Sequence, residues 1–225
     1  MRKRSASERH PEHEGGTVKV GIIDYGAGNL RSVANAVQAL DIEPILVSSA
    51  EEMEGLTHLI LPGVGSFGDC MAELEKRGLI GPIRDWVASN RPYFGICLGY
   101  QILFEESVEA PGVPGLGVFR GKVVRFTEDG RKIPHMGWNA AEPVSLADPM
   151  WEGLGGQPYF YFVHSYFPVP EDENIIAMTT EYGETFASAI RSRAVVATQF
   201  HPEKSQQAGL KLLGNFLEVG VPVED

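Results

Sequence analysis

Apolar and polar positions along the first hundred residues follow two alternating rhythms. A short, mainly apolar run at 18–23 leads into the turn Asp24-Tyr-Gly-Ala-Gly-Asn29, and Leu30, Val33, Ala34, Val37 and Leu40 then recur at helical spacing. Segments 44–47 and 58–61 read as a second and a third strand, the latter closed by Pro62-Gly-Val-Gly65. The stretch 69–90 is helical and breaks near 78–82, with Met71, Leu74, Ile83, Trp86 and Val87 facing inward. A fourth strand at 93–96 runs into Cys97, and a helix over 98–105 follows with no spacer. Apolar strands separated by amphipathic helices predict a parallel sheet covered on both faces.

The second half changes rhythm. Segments 122–126, 138–144, 159–168, 175–182, 186–190 and 195–200 are β-branched or aromatic, with Gly and Pro between them, and read as strands. A closing helix at 206–219 sets Leu210, Leu213 and Leu217 on one side. The expected fold class is therefore α/β: a single doubly wound, mainly parallel sheet with helices on both faces and antiparallel strands added in the C-terminal half. Residues 17–225 are expected to form one domain, with 127–132 a loop. Residues 1–16 carry Arg2, Lys3, Arg4 and Arg9 against Glu8, Glu12 and Glu14, with no large aliphatic side chain after Met1, and are expected to form a disordered tail. No apolar stretch follows the three leading basic residues as a secretory signal requires, and the glutamates argue against a mitochondrial presequence. No run approaches the ~18 consecutive apolar residues of a membrane span.

Composition narrows the function classes. Lys and Arg number 19 against 30 Asp and Glu, a net charge of −11, which argues against a nucleic-acid or anionic-membrane binder. The two cysteines, Cys70 and Cys97, exclude a disulfide framework and point to a reducing, cytoplasmic setting. Glycine is in excess, 26 of 225 residues, against roughly 7% in average usage. Part of that excess is local: Gly26, Gly28, Gly63, Gly65, Gly68, Gly95 and Gly99 fall in three loops at strand ends, where an open α/β sheet places its site.

One of those loops has the form of a nucleophile elbow. In Gly95-Ile-Cys97-Leu-Gly99 a strand turns sharply into a helix, and glycine two before and two after the nucleophile avoids a clash. Cys97 would then sit at a helix N-terminus that favours a thiolate, beside the N–H of Leu98. The pentapeptide alone is also compatible with a buried structural cysteine. Cys70, on a helix beside Met71, reads as a packing thiol. Gln199-Phe-His201-Pro-Glu203 ends the last strand, where residues two apart face the same way. Glu203 could hold one ring nitrogen of His201 while the other takes a thiol proton; a surface pair is the alternative. His10 and His13 lie in the tail, and His58 leads a strand. There is no C-x-x-C or H-E-x-x-H, and Arg31 stands where a dinucleotide fingerprint beginning at Gly26 needs its third glycine, so neither a metal nor a cofactor is expected.

Pro62-Gly-Val-Gly65, Gly95-Ile-Cys97-Leu-Gly99-Tyr-Gln101 and His201-Pro-Glu203, in this order and at these separations, resemble the class I (triad) glutamine amidotransferases over about residues 18–219. Asp24-Tyr-Gly-Ala-Gly-Asn-Leu30, Phe104-Glu-Glu-Ser107, Ala110-Pro-Gly112, Pro134-His-Met-Gly-Trp-Asn139 and Tyr161-Phe-Val-His-Ser-Tyr166 are similar in particular to the glutaminase subunits of imidazole glycerol phosphate synthase. The anthranilate and aminodeoxychorismate branches more usually show Pro-Gly-Pro-Gly and Cys-Leu-Gly-His-Gln, where this chain has Val64 and Tyr100; Tyr100 also replaces the methionine commonest in the histidine branch.

The resemblance implies that Cys97 attacks the side-chain amide of glutamine, that His201 shuttles the proton and that Glu203 orients it. It implies an oxyanion site at the N–H groups of Leu98, Gly63 and Val64, on a strand that turns when the partner is loaded, and substrate contacts from Gly65, Gln101, Glu109, His164, Ser165 and Tyr166. It also implies a partner, a cyclase (β/α)8-barrel subunit that uses the ammonia to make imidazole glycerol phosphate and aminoimidazole carboxamide ribotide. Asn29, His135, Met136, Trp138, Asn139 and Lys204 would face that partner. Two other readings stay open at this point: a glutaminase serving another synthase, and a non-catalytic regulatory protein on the same fold, which would need a broken triad.

Overall fold

The computed structural model describes residues 18–26, 29–128 and 130–219. The tail expected at 1–16 lies outside them, as do Ala27 and Gly28 of the first turn. In chain order the elements are β1 (Val20–Ile23), α1 (Leu30–Gln38), β2 (Ile45–Val47), β3 (His58–Leu61), α2 (Phe67–Lys76), α3 (Ile80–Ala88), β4 (Tyr93–Ile96), α4 (Leu98–Gln101), β5 (Glu106–Ser107), β6 (Gly121–Arg125), β7 (His135–Ala140), β8 (Glu142–Pro143), β9 (Tyr159–His164), β10 (Tyr166–Pro170), β11 (Ile176–Glu181), β12 (Thr185–Ser192), β13 (Val195–Thr198) and α5 (Gln206–Val219).

Parity along the strands divides their side chains between two cores. Val20, Ile22, Ile60, Phe94, Ile96 and Val196 pack on one face with Val33 and Val37 of α1 and Leu213, Phe216 and Leu217 of α5. Ile23, Leu59, Leu61, Tyr93, Val195 and Ala197 pack on the other with Phe67 and Leu74 of α2 and Ile83 and Trp86 of α3. Both faces are covered, as the apolar runs require. The sheet has eight strands in the order β2-β1-β3-β4-β13-β12-β11-β8. The first five neighbours pair in parallel, and β12, β11 and β8 continue antiparallel.

The β-rich half is more divided than its strand-like sequence suggests. Four of its strands, β13, β12, β11 and β8, belong to the main sheet, but β10-β6-β5 form a separate three-stranded sheet and β7 pairs with β9 alone. The single run expected at 159–168 breaks at Ser165 into β9 and β10, which join different sheets. The run expected from 138 starts at His135 and breaks at Ala141, so that β7 and β8 also part. Alternation gives the face of a strand but not its pairing partner, which is why these breaks leave no mark in the hydropathy pattern.

Helix α4 is also shorter than the expected 98–105. The Ile102 and Leu103 carbonyls, which a longer helix would use internally, accept instead from Leu116 (2.6 Å) and Val118 (2.8 Å) of the returning loop. That loop competes successfully for the backbone and stops the helix after one turn.

The β7–β9 ribbon is held to the main sheet by aromatic packing. Phe160 stacks on Phe200 with ring centroids 3.9 Å apart, and His135 lies between Phe162 (4.7 Å) and Tyr182 (4.0 Å). The rings of His135 and His164 meet at 3.1 Å, Nδ1 to Nε2, and His164 Nδ1 lies 2.9 Å from the Tyr166 carbonyl. Because a carbonyl only accepts, His164 carries its proton on Nδ1 and accepts from His135 on Nε2. Burial is the main cause that holds both rings neutral, with His164 pulled down to about 3 and His135 to about 4. Burial also lowers His58, at the start of β3, to about 4.

Gly209 of α5 lies so close to the 202–204 turn that a Cβ there would fall on the Pro202 carbonyl oxygen. Gly209→Ala should therefore cost about 1–3 kcal/mol, the usual range for overpacking, and lower Tm by several degrees; an unchanged melt would show that this approach is slack. The three neutral histidines should also make the fold sensitive to mild acid. Between their folded values and the unfolded value of about 6.5, the unfolded chain binds more protons, so stability falls as pH drops through that window. Near pH 5.5 the pH dependence of denaturant unfolding should report uptake of roughly two to three protons. A flat profile from pH 7 to 5 would contradict the neutral assignment.

Candidate active site

The C-terminal ends of four parallel strands meet at one edge of the sheet. β1 leads towards Asn29, β3 into Pro62–Gly65, β4 into Cys97, and β13 into Gln199 and His201. β4 and β13 are direct neighbours, with Ile96 opposite Thr198, and the Cys97 N–H donates to the Thr198 carbonyl at 2.7 Å. This pairing sets the cysteine beside the segment that carries the histidine.

Cys97 has φ 54° and ψ −100°, in the region that disfavours side chains. The surrounding backbone holds it there. A Cβ at Gly99 would fall on the Leu61 carbonyl oxygen, and one at Gly95 would come within 2.5 Å of the Gly99 carbonyl oxygen. The two glycines therefore do what the elbow motif requires of them. With α4 only one turn long, Cys97 does not stand at the end of a long helix dipole.

His201 is fully buried, and its backbone is clamped at both ends. Its N–H donates to the Tyr161 carbonyl (2.9 Å), and its carbonyl accepts from the Ser205 hydroxyl (2.6 Å), whose oxygen in turn accepts the Tyr161 N–H (2.9 Å). His201 Nδ1 lies 2.8 Å from Glu203 Oε1, in a pair almost wholly buried. The pairing expected from the sequence is present, but its geometry differs. Glu203 does not extend the strand; it lies in the 3₁₀ turn Pro202–Lys204, which curls the carboxylate back onto the ring. The Asn29 side-chain amide donates to the same Oε1, so Asn29, expected at a partner surface, here also fixes the carboxylate.

Burial opposes charge on His201, but the nearby Cys97 sulfur and the Glu203 carboxylate overcome it and push the imidazole up to about 10, while Nε2 itself makes no hydrogen bond. The ring is therefore protonated at neutral pH beside the sulfur. Such a set can deliver a proton to a leaving amine while the sulfur attacks an acyl carbon.

In front of Cys97 lies a cavity of about 300 Å³. It gathers all six residues expected to contact substrate, Gly65, Gln101, Glu109, His164, Ser165 and Tyr166, and two of the three expected at the oxyanion, Val64 and Leu98. Gly63 is not among the lining residues and packs instead against Leu98 and the Tyr25 hydroxyl. Glu109 accepts the backbone N–H of Phe67 at 2.8 Å, so it also caps the start of α2. Both ring nitrogens of His164 are engaged by His135 and Tyr166, which leaves its side chain a wall of the cavity rather than a donor to a ligand.

The residues expected at a partner surface divide. Met136 and Trp138 are 59% and 46% exposed on the ribbon, so Trp138 is not core. The Lys204 ammonium lies 5.8 Å over the Tyr161 ring, and Trp138 meets the same ring edge-on at 6.3 Å. His135 is buried, and Asn139 contacts it at 3.3 Å while donating to the Glu181 carbonyl at 2.9 Å, so these two support the ribbon from behind. Cys70 is buried among α2 residues, with burial pushing its thiol up to about 12, which suits a packing role. Among the described residues no three His, Cys, Asp or Glu converge as a metal set, and no helix is long and apolar enough to cross a membrane. Sequence reasoning assigned no role to Gln199 or Ser205, both buried at the site; the parity of Gln199 with His201 was the available signal.

The family profile described as glutamine amidotransferase class-I matches residues 21–219. The chain is 46% identical over 203 residues to a Rhodopirellula baltica protein named imidazole glycerol phosphate synthase subunit HisH, covering 90% of this chain and 98% of that one. It is 49% identical over 200 residues to the Methanocaldococcus jannaschii protein of the same name, covering 89% and 99%. Among solved structures, one described as a glutamine amidotransferase superposes with a TM-score of 0.71 at 28% identity, covering 89% of this chain and 98% of that one. The structure of PurLQS from Thermotoga maritima shares the fold, with a TM-score of 0.72 at 18% identity over 90% of this chain and 98% of that one. This chain belongs to the class I glutamine amidotransferases.

Proposed function

We propose that this chain is the glutaminase subunit of an imidazole glycerol phosphate synthase and releases ammonia from glutamine for a partner subunit. The observation that carries the reading is the elbow cysteine set between the His201–Glu203 pair and an open cavity, in a chain 46–49% identical to proteins named HisH.

The chemistry follows from this arrangement. The Cys97 thiolate attacks the side-chain amide carbon of glutamine and pushes negative charge onto the carbonyl oxygen. Backbone N–H groups of Leu98 and of the Gly63–Val64 segment stabilise that oxyanion. Collapse breaks the C–N bond, and the imidazolium of His201 gives its proton to the departing nitrogen, which leaves as ammonia. Water then attacks the thioester, His201 takes the proton back, and glutamate leaves with the thiolate restored. Glu203, held by Asn29, keeps the ring in one tautomer throughout. Losing one oxyanion donor typically costs about 10²–10³ in rate, so a small turn of the 63–65 segment is enough to set the enzyme on or off.

Gly65, Gln101, Glu109, Ser165 and Tyr166 line the space for glutamine, with His164 forming its wall. The exposed side chains of Met136, Trp138 and Lys204, beside the cavity-lining strand β9, supply a docking face for a cyclase (β/α)8 barrel. Direct transfer to that barrel would keep ammonia from water. The setting that fits two free thiols and this biosynthetic role is the cytoplasm. A regulatory protein without activity would need a disrupted nucleophile, base or carboxylate, and Cys97, His201 and Glu203 are all present in the sequence.

The purified chain alone should turn over glutamine slowly, and adding the cyclase subunit with its ribotide substrate should raise the rate strongly. Cys97→Ala should abolish glutamine-dependent synthesis by the pair while leaving ammonia-dependent synthesis intact. Glutamate release by Cys97→Ala at the wild-type rate would overturn the assignment, and strong activation by an unrelated synthase would reassign the partner.

A further inference from the structure

The buried amide of Gln199 touches the nucleophile. Its Nε2 lies 3.6 Å from Cys97 Sγ, within reach of a hydrogen bond to sulfur, and the residue is wholly buried. Its orientation is fixed by its neighbours rather than chosen. Gln101 Nε2 donates to the Tyr166 carbonyl at 2.9 Å, and a carbonyl can only accept, so the nitrogen of Gln101 must point this way. The same NH₂ group reaches Gln199 Oε1 at 3.2 Å. The oxygen of Gln199 is thereby committed, and its NH₂ is left facing the sulfur. The Gln199 backbone is tied to Ser188 of β12 at 2.8 Å, which holds the side chain at the junction of β13 and the elbow.

We infer that Gln199 is a further catalytic residue, which donates a hydrogen bond to the Cys97 thiolate and, through Gln101, links the sulfur's position to the wall of the substrate cavity. The inference rests on the reading of Cys97 as the nucleophile. A neutral donor there favours the thiolate without competing for the proton, which only His201 exchanges. Filling of the cavity that displaces Gln101 would loosen the Gln199 amide and with it the sulfur.

Alkylation of Cys97 by iodoacetamide, followed against pH by peptide mass mapping of the full chain, tests this. The other groups coupled to the sulfur or facing it are His201, which is protonated; Tyr25, which burial keeps un-ionised; and Glu109 and neutral His164 across the cavity. None of these residues is substituted in the variants. Gln199→Leu removes the donor, and Gln199→Glu keeps the shape but presents an anion. In both, the profile for Cys97 should move up by about one pH unit, or the rate at pH 7 should fall roughly ten-fold, while buried Cys70 stays unreactive. Profiles that superpose on wild type in both variants would overturn the inference. So would exposure of Cys70 in both, since Gln199 would then be acting on packing alone. The readout does not involve glutamine, so a failure here leaves the glutaminase reading standing, whereas that reading fails on glutamate release by Cys97→Ala.

Discussion

The site depends above all on β4 and β13 lying side by side in parallel. Their last rung, from the Cys97 N–H to the Thr198 carbonyl, sets the elbow one strand spacing from the segment that carries Gln199 and His201. The nucleophile and its base lie about a hundred residues apart in sequence, and no local interaction could bring them together. The sheet does so because both strands are buried on both faces, so that their register is fixed by two cores at once. The strained backbone at Cys97 persists for the same reason, since Gly99 lies against the Leu61 carbonyl of the next strand and the turn has no room to relax.

Around that rung most polar groups are tied by hydrogen bonds, with His201 Nε2 and Glu203 Oε2 left buried without one. Glu203 is held by Asn29 from the first loop and by the turn that α5 packs against, and the His201 backbone is tied to β9 through Tyr161 and Ser205. A second line of hydrogen bonds runs from Asn139 through His135 and His164 to the Tyr166 carbonyl, and from there through Gln101 and Gln199 to the sulfur. One end of this line lies on the ribbon that also exposes Met136 and Trp138, and the other ends at the reacting atom. Its histidines contribute as neutral, directional linkers, which burial in an aromatic box enforces.

Much of this was legible in the sequence because it rests on local rules. The buried strands, the elbow glycines and the His-x-Glu pair each follow from spacing, and the parallel half of the sheet follows from apolar runs alternating with amphipathic helices. What was not legible depends on competition between distant groups. Helix α4 stops early because the 116–118 backbone takes its carbonyls. The aromatic strands of the second half divide among three sheets because alternation carries no information on partners. Glu203 reaches His201 through a turn rather than along a strand. Asn29 and Gln199 acquire their places from tertiary neighbours, and a lone Asn or Gln has no pattern that announces it.

The most direct test of the central claim is covalent labelling by a glutamine-derived electrophile such as a diazoketone analogue, with the cyclase partner and its ribotide present and the labelled residue identified by mass spectrometry. One equivalent on Cys97 and none on Cys70, with glutamine protecting against the label, is the predicted result. A label on Cys70, or an unprotected label on Cys97, would contradict the account.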